Sequence, residues 1–346
     1  MSKPKLALIP SGYKSGKVYS ILPNNGDGDF NYERDGNATR VRKDGLIEEL
    51  TVDGTPRLDW LNSNCPSLLL EPQRTNLLKY SENYSQSEWS KIRSTISINQ
   101  SIAPNGTFTA DKIIASTDNN THRCDQAITL TDGTIYSLSF FVKASEYNCI
   151  RASIGQGGAT FGNVASFNLN TKTVSTTGTI ENAEILDFGN GWFRCISTMQ
   201  AGSADRVVIG IGIDDSYSFI GDNSSGLFMW GAMIEEASYT SSYIKTEAST
   251  VTRLADVCSV TPPSGIIGQT EGVVYVEANV NDIDLGNNRI SLSDGGTSNW
   301  LFFSVQENTG SGAKARVYIG NGANIVTVYV DSVGSGFHKY ALSYMV

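Results

Sequence analysis

The sequence predicts an all-β fold, and three observations carry that prediction. Apolar residues recur at every second position through most of the 346-residue chain, as in strands with one face on a core. Polar clusters rich in Gly, Asn, Asp and Ser separate these stretches and read as turns. No segment sustains a helical period: AEILDF and EEASYTSSYI are at most single turns. At roughly 150 residues per domain, the length suggests two or three domains, enough to bury cores of their own.

Residues 1–67 read as an irregular, turn-rich leader. Its apolar pieces, such as KVYSIL, are short and are interrupted by PNNGDGDF. Asp44-Gly45 lies between the strand-like runs 39–43 and 46–50, which predicts a hairpin. The leader has too few apolar residues for its own core. It is expected to lie against the following domain or a neighbouring subunit.

Residues 68–257 alternate strongly. YSLSFFVK places Tyr136, Leu138, Phe140 and Val142 on one face, and VASFNLN does the same with Ala165, Phe167 and Leu169. RVVIGIGI groups Val207, Ile209, Ile211 and Ile213. GLFMWGAMI sets Phe228, Trp230, Ala232 and Ile234 opposite Leu227, Met229 and Met233. About eight such strands, apolar on one face, predict a jelly-roll β-sandwich. Residues 258–346 repeat the pattern from GVVYVEANV to HKYALSYMV, after a linker in SVTPPSGIIGQTEG. Asp294-Gly295-Gly296 and Asn321-Gly322 are expected turns. The last alternation reaches Val346 without a closing turn, so the natural chain is expected to continue.

The formal charge is -9, from 35 acidic and 26 basic residues. No basic cluster marks a nucleic-acid footprint. An acid excess favours solubility; calcium binding is the rival reading, but no loop has EF-hand spacing and the sequence specifies no metal. The five cysteines are widely spaced, without CxxC, so reduced thiols are expected. The N-terminus lacks a signal-peptide core. No run approaches the ~18 apolar residues of a membrane span.

The chemistry of catalysis is sparse. His122 and His338 fall in different predicted domains, and GxSxG, HExxH and P-loop patterns are missing. GQGGATFG, residues 155–162, is Gly-rich but sits between strands and reads as an edge loop. A glycosidase needs only two suitably placed carboxylates. Asp214-Asp215 and Glu235-Glu236 are the candidate pairs, yet neighbours on a strand face opposite ways. No enzyme activity and no cofactor are expected. Aromatic rings can cover the C–H faces of sugars while Asp, Asn and Gln take the hydroxyls. Trp89 and Tyr147 are possible platforms, with core packing the simpler role for Trp89, Trp192 and Trp230. Tyr147, Asp214, Asp215 and Tyr217 are the candidate glycan contacts.

Several ordered motifs carry a resemblance. LLLEPQRTNLLKYSE (68–82), Trp89, IAPNGTFTADKI and LFMWGAMIEEASYTSSYIKTEASTVTRLADV together resemble a module of tailed-phage fibres, tail proteins and head appendages. The leader from KPKLALIPSGYKSG onward is similar to the N-termini of such proteins. The likeness covers about residues 3–257. It implies a carbohydrate-binding-like jelly roll, and residues 258–346 look like the first part of a concanavalin-A/laminin-G-like sandwich. It further implies a virion structural protein, assembled in the bacterial cytoplasm and trimeric. Such a protein would dock on capsid, portal or tail proteins through residues 1–67 and contact host-surface glycan, without membrane insertion. A spacer that binds no sugar and a glycan depolymerase are the alternatives. Within that resemblance, residues 68–82 form a junction. Leu68, Leu69 and Leu70 would fill the edge of the core, and Pro72 would end a strand. Arg74 would tie the turn to carbonyls or a carboxylate. Asn76 would start the next segment, with Leu77 and Leu78 re-entering the core.

Overall fold

The computed structural model describes residues 3–345 apart from 62–63, 156–162, 203–205, 263–264, 269–270, 281–288, 294–298, 309–311, 322–323 and 332–335. The described residues form strands and turns with no helix, so the fold is all-β. The Gly-rich stretch from residue 156 onward, the turn at Asp294-Gly295-Gly296, Gly322 and Pro263 lie outside them. The chain divides into two compact units: Ala7–Val260, and Thr261–Val346 with Met1–Leu6.

Two six-stranded antiparallel sheets build the larger unit. One runs in the order Ser94–Ser101, Ala110–Ala115, Gly226–Glu236, Ile135–Ala144, Trp192–Gln200, Asn182–Gly189. The other runs Thr173–Thr177, Val164–Asn168, Cys149–Gly155, Arg206–Gly212, His122–Ala127, Trp89–Ile92. Between them lies one core that takes Tyr136, Leu138, Phe140 and Val142 from the first sheet. From the second it takes Ile150, Phe167, Val207, Ile209 and Ile211. These are the residues that period-two alternation selects, because successive side chains on a strand point to opposite faces.

Gly226–Glu236 departs from simple alternation. Ser139 pairs with Met233, but Phe141 pairs with Trp230, so this strand carries one extra residue. Gly231 sits at the insertion with φ +63, a left-handed conformation that glycine adopts without a Cβ clash. The bulge resets the phase. Leu227 and Met229 face the inter-sheet core before it, and Ala232 and Ile234 do so after it. Phe228 and Trp230 therefore point to the outer face, against the expectation that they join Ala232 and Ile234.

That outer face carries a second core of Phe141, Trp192, Trp230 and Tyr243, with Phe188 and Phe228 packed against it. The leader covers part of it. Ala38–Val41 and Ile47–Leu50 pair as the hairpin expected around Asp44-Gly45, and Ile47 inserts into the second core. Ile47 N–H donates to Pro104 O at 3.0 Å. Thr39 Oγ1 donates to Tyr243 O at 2.6 Å. The strands Tyr13–Lys14, Lys17–Val18 and Phe30–Glu33 complete a small sheet with Val257–Ser259 from the far end of the unit. The leader thus lies on the sandwich of its own chain.

Among the described residues the smaller unit contains six strands. Glu271–Val280 pairs with Gly336–Met345, and Arg289–Ser293, Asn299–Asn308, Gly312–Asn321 and Asn324–Asp331 form a four-stranded sheet.

A Cβ on Gly231 would lie 2.9 Å from Phe141 Cδ2, in a backbone conformation that side chains disfavour. Gly231→Val is expected to cost about 2–3 kcal/mol, read as a lowered urea midpoint. An unchanged midpoint would mean that the strand does not need its left-handed residue.

Candidate functional site

The junction segment 68–82 holds a highly charged buried site in the larger unit. Glu71 is buried beneath the leader. Its Oε2 accepts from Arg57 Nη1 at 2.7 Å and pairs with Arg253 Nη1 at 3.0 Å. Ser242 donates its backbone N–H to Oε1 at 2.8 Å and its hydroxyl to Oε2 at 2.7 Å. Asp256 binds the other end of the Arg57 fork, with Arg34 Nε 3.3 Å away and Tyr32 donating its hydroxyl. Glu71 N–H also donates to Asp256 Oδ2 at 2.8 Å, and Asp256 N–H returns a bond to Glu71 O at 3.0 Å. Three arginines, two carboxylates and a tyrosine therefore join the leader, the junction and the end of the sandwich. Arginine suits this place because its planar fork binds two carboxylates at once and stays charged when buried.

The named junction residues have mixed roles. Asn76 is a fully buried clamp: its amide donates to Ala232 O and Ile244 O, and its oxygen accepts from Leu78 N and Ile234 N. Arg74 has Nε 3.8 Å from Glu235 Oε2, donates to Gln73 O at 3.0 Å and lies over the Tyr239 ring. Pro72 offers its carbonyl to Arg253 Nη2 at 2.8 Å. Leu70 is 49% exposed and does not fill the core edge; Leu78 does. The alternation of LLL cannot continue into the core, because Glu71 turns inward to the arginines instead. Glu71 itself escaped the sequence reading. Its partners Arg34, Arg57, Arg253 and Asp256 are scattered along the chain, and the only local signal was an acid beside a proline.

The predicted contact cluster lies at another end of the sandwich. Tyr147 is 5% exposed and packs edge-on against Phe219, with ring centroids 5.2 Å apart, so it offers no open platform. Apolar packing against Phe219 outweighs the polar character of its neighbours. Asp214 and Asp215 occupy a tight turn with φ +44 and +66 rather than a strand. Both carboxylates serve that turn. Asp214 accepts from Asn148 Nδ2 at 3.0 Å, and Asp215 from Asn168 Nδ2 at 3.2 Å. Tyr217 donates to Ile150 O at 3.2 Å and stacks under Arg151, 4.8 Å from its ring centroid. Glu235 is buried and takes two bonds from Ser241, whereas Glu236 is exposed, so that acid pair does not converge. Trp89, Trp192 and Trp230 are core residues. Among the described residues no group of His, Cys, Asp and Glu is arranged to hold a metal.

Two clefts flank the leader hairpin instead. The inner one, about 250 Å³, is closed by Trp230 and Tyr243 and rimmed by Glu49, Glu82, Asn105 and Lys245. Trp230 reaches it because the Gly231 bulge turns its ring outward. Its indole N–H has no acceptor among the described residues. Tyr243 donates to Glu82 Oε1 at 3.1 Å, and Lys245 Nζ stands 3.4 Å from Glu82 Oε2. Burial nonetheless pushes the Glu82 carboxyl above its ordinary value. The volume falls below the ~300–1,000 Å³ of drug-sized pockets, and with Trp230 and Tyr243 buried beneath it the cleft presents chiefly its polar rim. The outer cleft, about 330 Å³, includes Tyr13, Trp60, Arg40, Arg42, Lys43 and Glu48.

No family model matches the chain, and no curated protein matches it. Among solved structures it is similar to the enzymatically active domain of tailspike protein 4 from bacteriophage CBA120. That match has 13% identity and a TM-score of 0.29, over 46% of this chain and 21% of the tailspike chain. The chain thus spans about a fifth of the tailspike's length. A second similar structure is a protein from Bacteroides thetaiotaomicron described as sugar-binding, with 14% identity and a TM-score of 0.26, over 47% of this chain and 95% of that one. The distant structural neighbours therefore include a phage tailspike domain and a sugar-binding protein, at scores that carry no functional weight.

Removing one partner from a buried ion cluster strands the other charges. Arg57→Met is expected to cost about 3–5 kcal/mol and to make residues 7–67 the first site of limited proteolysis. A variant as stable and protease-resistant as the parent would contradict the role given to Arg57. Burial alone would raise the Glu71 pKa, but Arg253 and Arg57 outweigh it and hold the carboxyl at about 2, below the ordinary 4.5. The stability it contributes is whole above pH 4.5 and is lost as the pH falls toward 2. Acid titration should therefore loosen the leader in that window in the parent, and much less in Glu71→Gln.

Proposed function

We propose that this chain is a structural protein of a tailed-phage particle, a tail or head appendage. It attaches through residues 1–67, by the exposed apolar residues Ile9, Tyr19 and Ile21 rather than by the hairpin Ala38–Leu50, assembles as a trimer and contacts host-surface glycan. The observation that carries the glycan reading is the pair of clefts beside the leader hairpin: the half-buried rings of Tyr13 and Trp60 line the outer one, and Glu49, Glu82, Asn105 and Lys245 give the inner one a polar rim. Membership of a particle is supported by the resemblance of the leader, junction and closing motifs to phage appendage modules. Attachment is supported by Ile9, Tyr19 and Ile21, which stand exposed on the leader segments joined by the Ala7–Leu22 bridge.

The physical logic is multivalency. A cleft for one ring binds weakly, but several copies on one particle raise the effective affinity by orders of magnitude without new contacts. A fused leader and sandwich hold the cleft at a fixed angle. The spacer reading draws on one specific feature: the carboxylates of Asp214 and Asp215 are already occupied by Asn148 and Asn168.

Two measurements test the proposal. Antibody against the chain is expected to decorate intact particles, and unlabelled particles would refute membership. On a broad glycan array the protein is expected to retain host-type polysaccharide, with Glu82→Gln weakening retention several-fold. Silence across the array would leave the spacer reading.

A further inference from the structure

We propose that the outer cleft beside the leader hairpin is a second carbohydrate subsite that takes a carboxylate-bearing sugar, such as a uronic acid. The glycan contacted by this protein would then be an acidic heteropolysaccharide. This inference rests on the glycan reading above and specifies its ligand.

The charge of the cleft runs against that of the chain. The protein carries a formal -9, yet Arg40, Arg42 and Lys43 line the cleft against the single carboxylate of Glu48. Tyr13 and Trp60 supply half-buried rings, so neither is sealed in a core. Lys43 Nζ stands 5.4 Å from the Trp60 centroid, and Arg40 lies 5.5 Å from the centroid of Tyr13. Aromatic faces beside cations fit a pyranose whose C–H face stacks while its carboxylate meets the positive groups.

The cations are not equally engaged. Arg40 is held by Glu48, with Nε 2.8 Å from Oε2, and its side chain is only 14% exposed. It sets the wall. Arg42 pairs with Asp44, but both side chains are nearly half exposed, at 49% and 46%. Such a solvated pair is worth little, so exchanging Asp44 for a ligand carboxylate costs little. Lys43 is exposed beside the ring of Trp60. Arg42 and Lys43 are therefore the groups available to an incoming anion, with Arg42 able to bind it through two parallel N–H bonds.

The two clefts are neighbours. Arg42 and Glu48 line both of them. The inner cleft carries Glu48, Glu49 and Glu82 against Arg42 and Lys245 and repels an added carboxylate. A chain crossing the hairpin would thus place a neutral ring within the polar rim of Glu49, Asn105 and Lys245 and an acidic ring against Tyr13 and Trp60. A charge gradient of this kind also fixes the direction of the bound chain, since reversing it would bring the carboxylate to the acids.

The test uses the full chain and two probes. One is a disaccharide of glucuronate and a neutral hexose; the other is the same disaccharide with its carboxyl reduced to a hydroxymethyl group. Calorimetric titration at low salt is expected to give about tenfold tighter binding of the acidic probe, the worth of one good charge contact. The preference should collapse at high salt. Lys43→Gln combined with Arg42→Gln, both at exposed positions, should bring the two probes to equal affinity within twofold. Equal affinity for the two probes, or a preference that survives the double variant, overturns the acidic subsite while leaving the glycan reading in place. Failure of both probes, with silence on the array, removes the glycan reading as well. Tighter binding of an oligoglutamate peptide than of the acidic sugar would assign the cleft to a protein partner and overturn the inference.

Discussion

The larger unit depends on burying charge where sequence-distant segments meet. Arg57 reaches from the leader to Glu71 in the junction and Asp256 at the end of the sandwich. Arg34 pairs with Asp256 and Arg253 with Glu71, which leaves the cluster one positive charge in excess. A buried ion is costly unless it is paired and hydrogen-bonded; here each arginine is paired with a carboxylate, although the Nε atoms of Arg34, Arg57 and Arg253 make no hydrogen bond among the described residues. Each of these groups therefore demands the others, and the demand fixes where the leader lies. Apolar packing contributes less here: among the described residues the leader buries Val18, Tyr32, Ala38, Ile47, Leu50 and Leu58. The ionic cluster supplies the specificity and the second hydrophobic core supplies the driving force.

This arrangement also builds the clefts. The hairpin is anchored by Ile47 against Trp230 and its neighbours and by Thr39 on Tyr243 O. Its outer face is left free to carry Arg42, Lys43 and Glu48. Gly231 completes the design from the other side, because its bulge turns Trp230 toward the hairpin rather than into the inter-sheet core. Clefts and structural seam coincide, which ties the geometry of both clefts to the integrity of the junction.

Much of the architecture was legible in the sequence because strand periodicity is local. Tyr136 to Val142 and Val207 to Ile211 face the core as their alternation requires, and Asp44-Gly45 turns the hairpin it announces. The phase reset at Gly231 was not legible: a glycine in an apolar run signals a bulge only when its partner strand is known. The ionic cluster was hidden for a related reason. Arg34, Arg57, Glu71, Arg253 and Asp256 share no local pattern, and only the tertiary fold brings them within bonding distance. Tyr147 misled because its polar neighbours suggested a surface loop, whereas Phe219, far along the chain, covers its ring. The inner cleft, too, draws on residues from both ends of the unit, from Thr39 to Lys245, whereas the outer one is lined by residues 11–66 alone.

Native-state hydrogen exchange tests the central claim most directly, because it reads the opening free energy of each segment. If the ionic cluster fuses leader and sandwich, amides of the strands Phe30–Glu33 and Ile47–Leu50 should exchange only with the global unfolding that releases Ile135–Ala144. Exchange of those leader amides through a separate, low-energy opening, with the sandwich still protected, would contradict it.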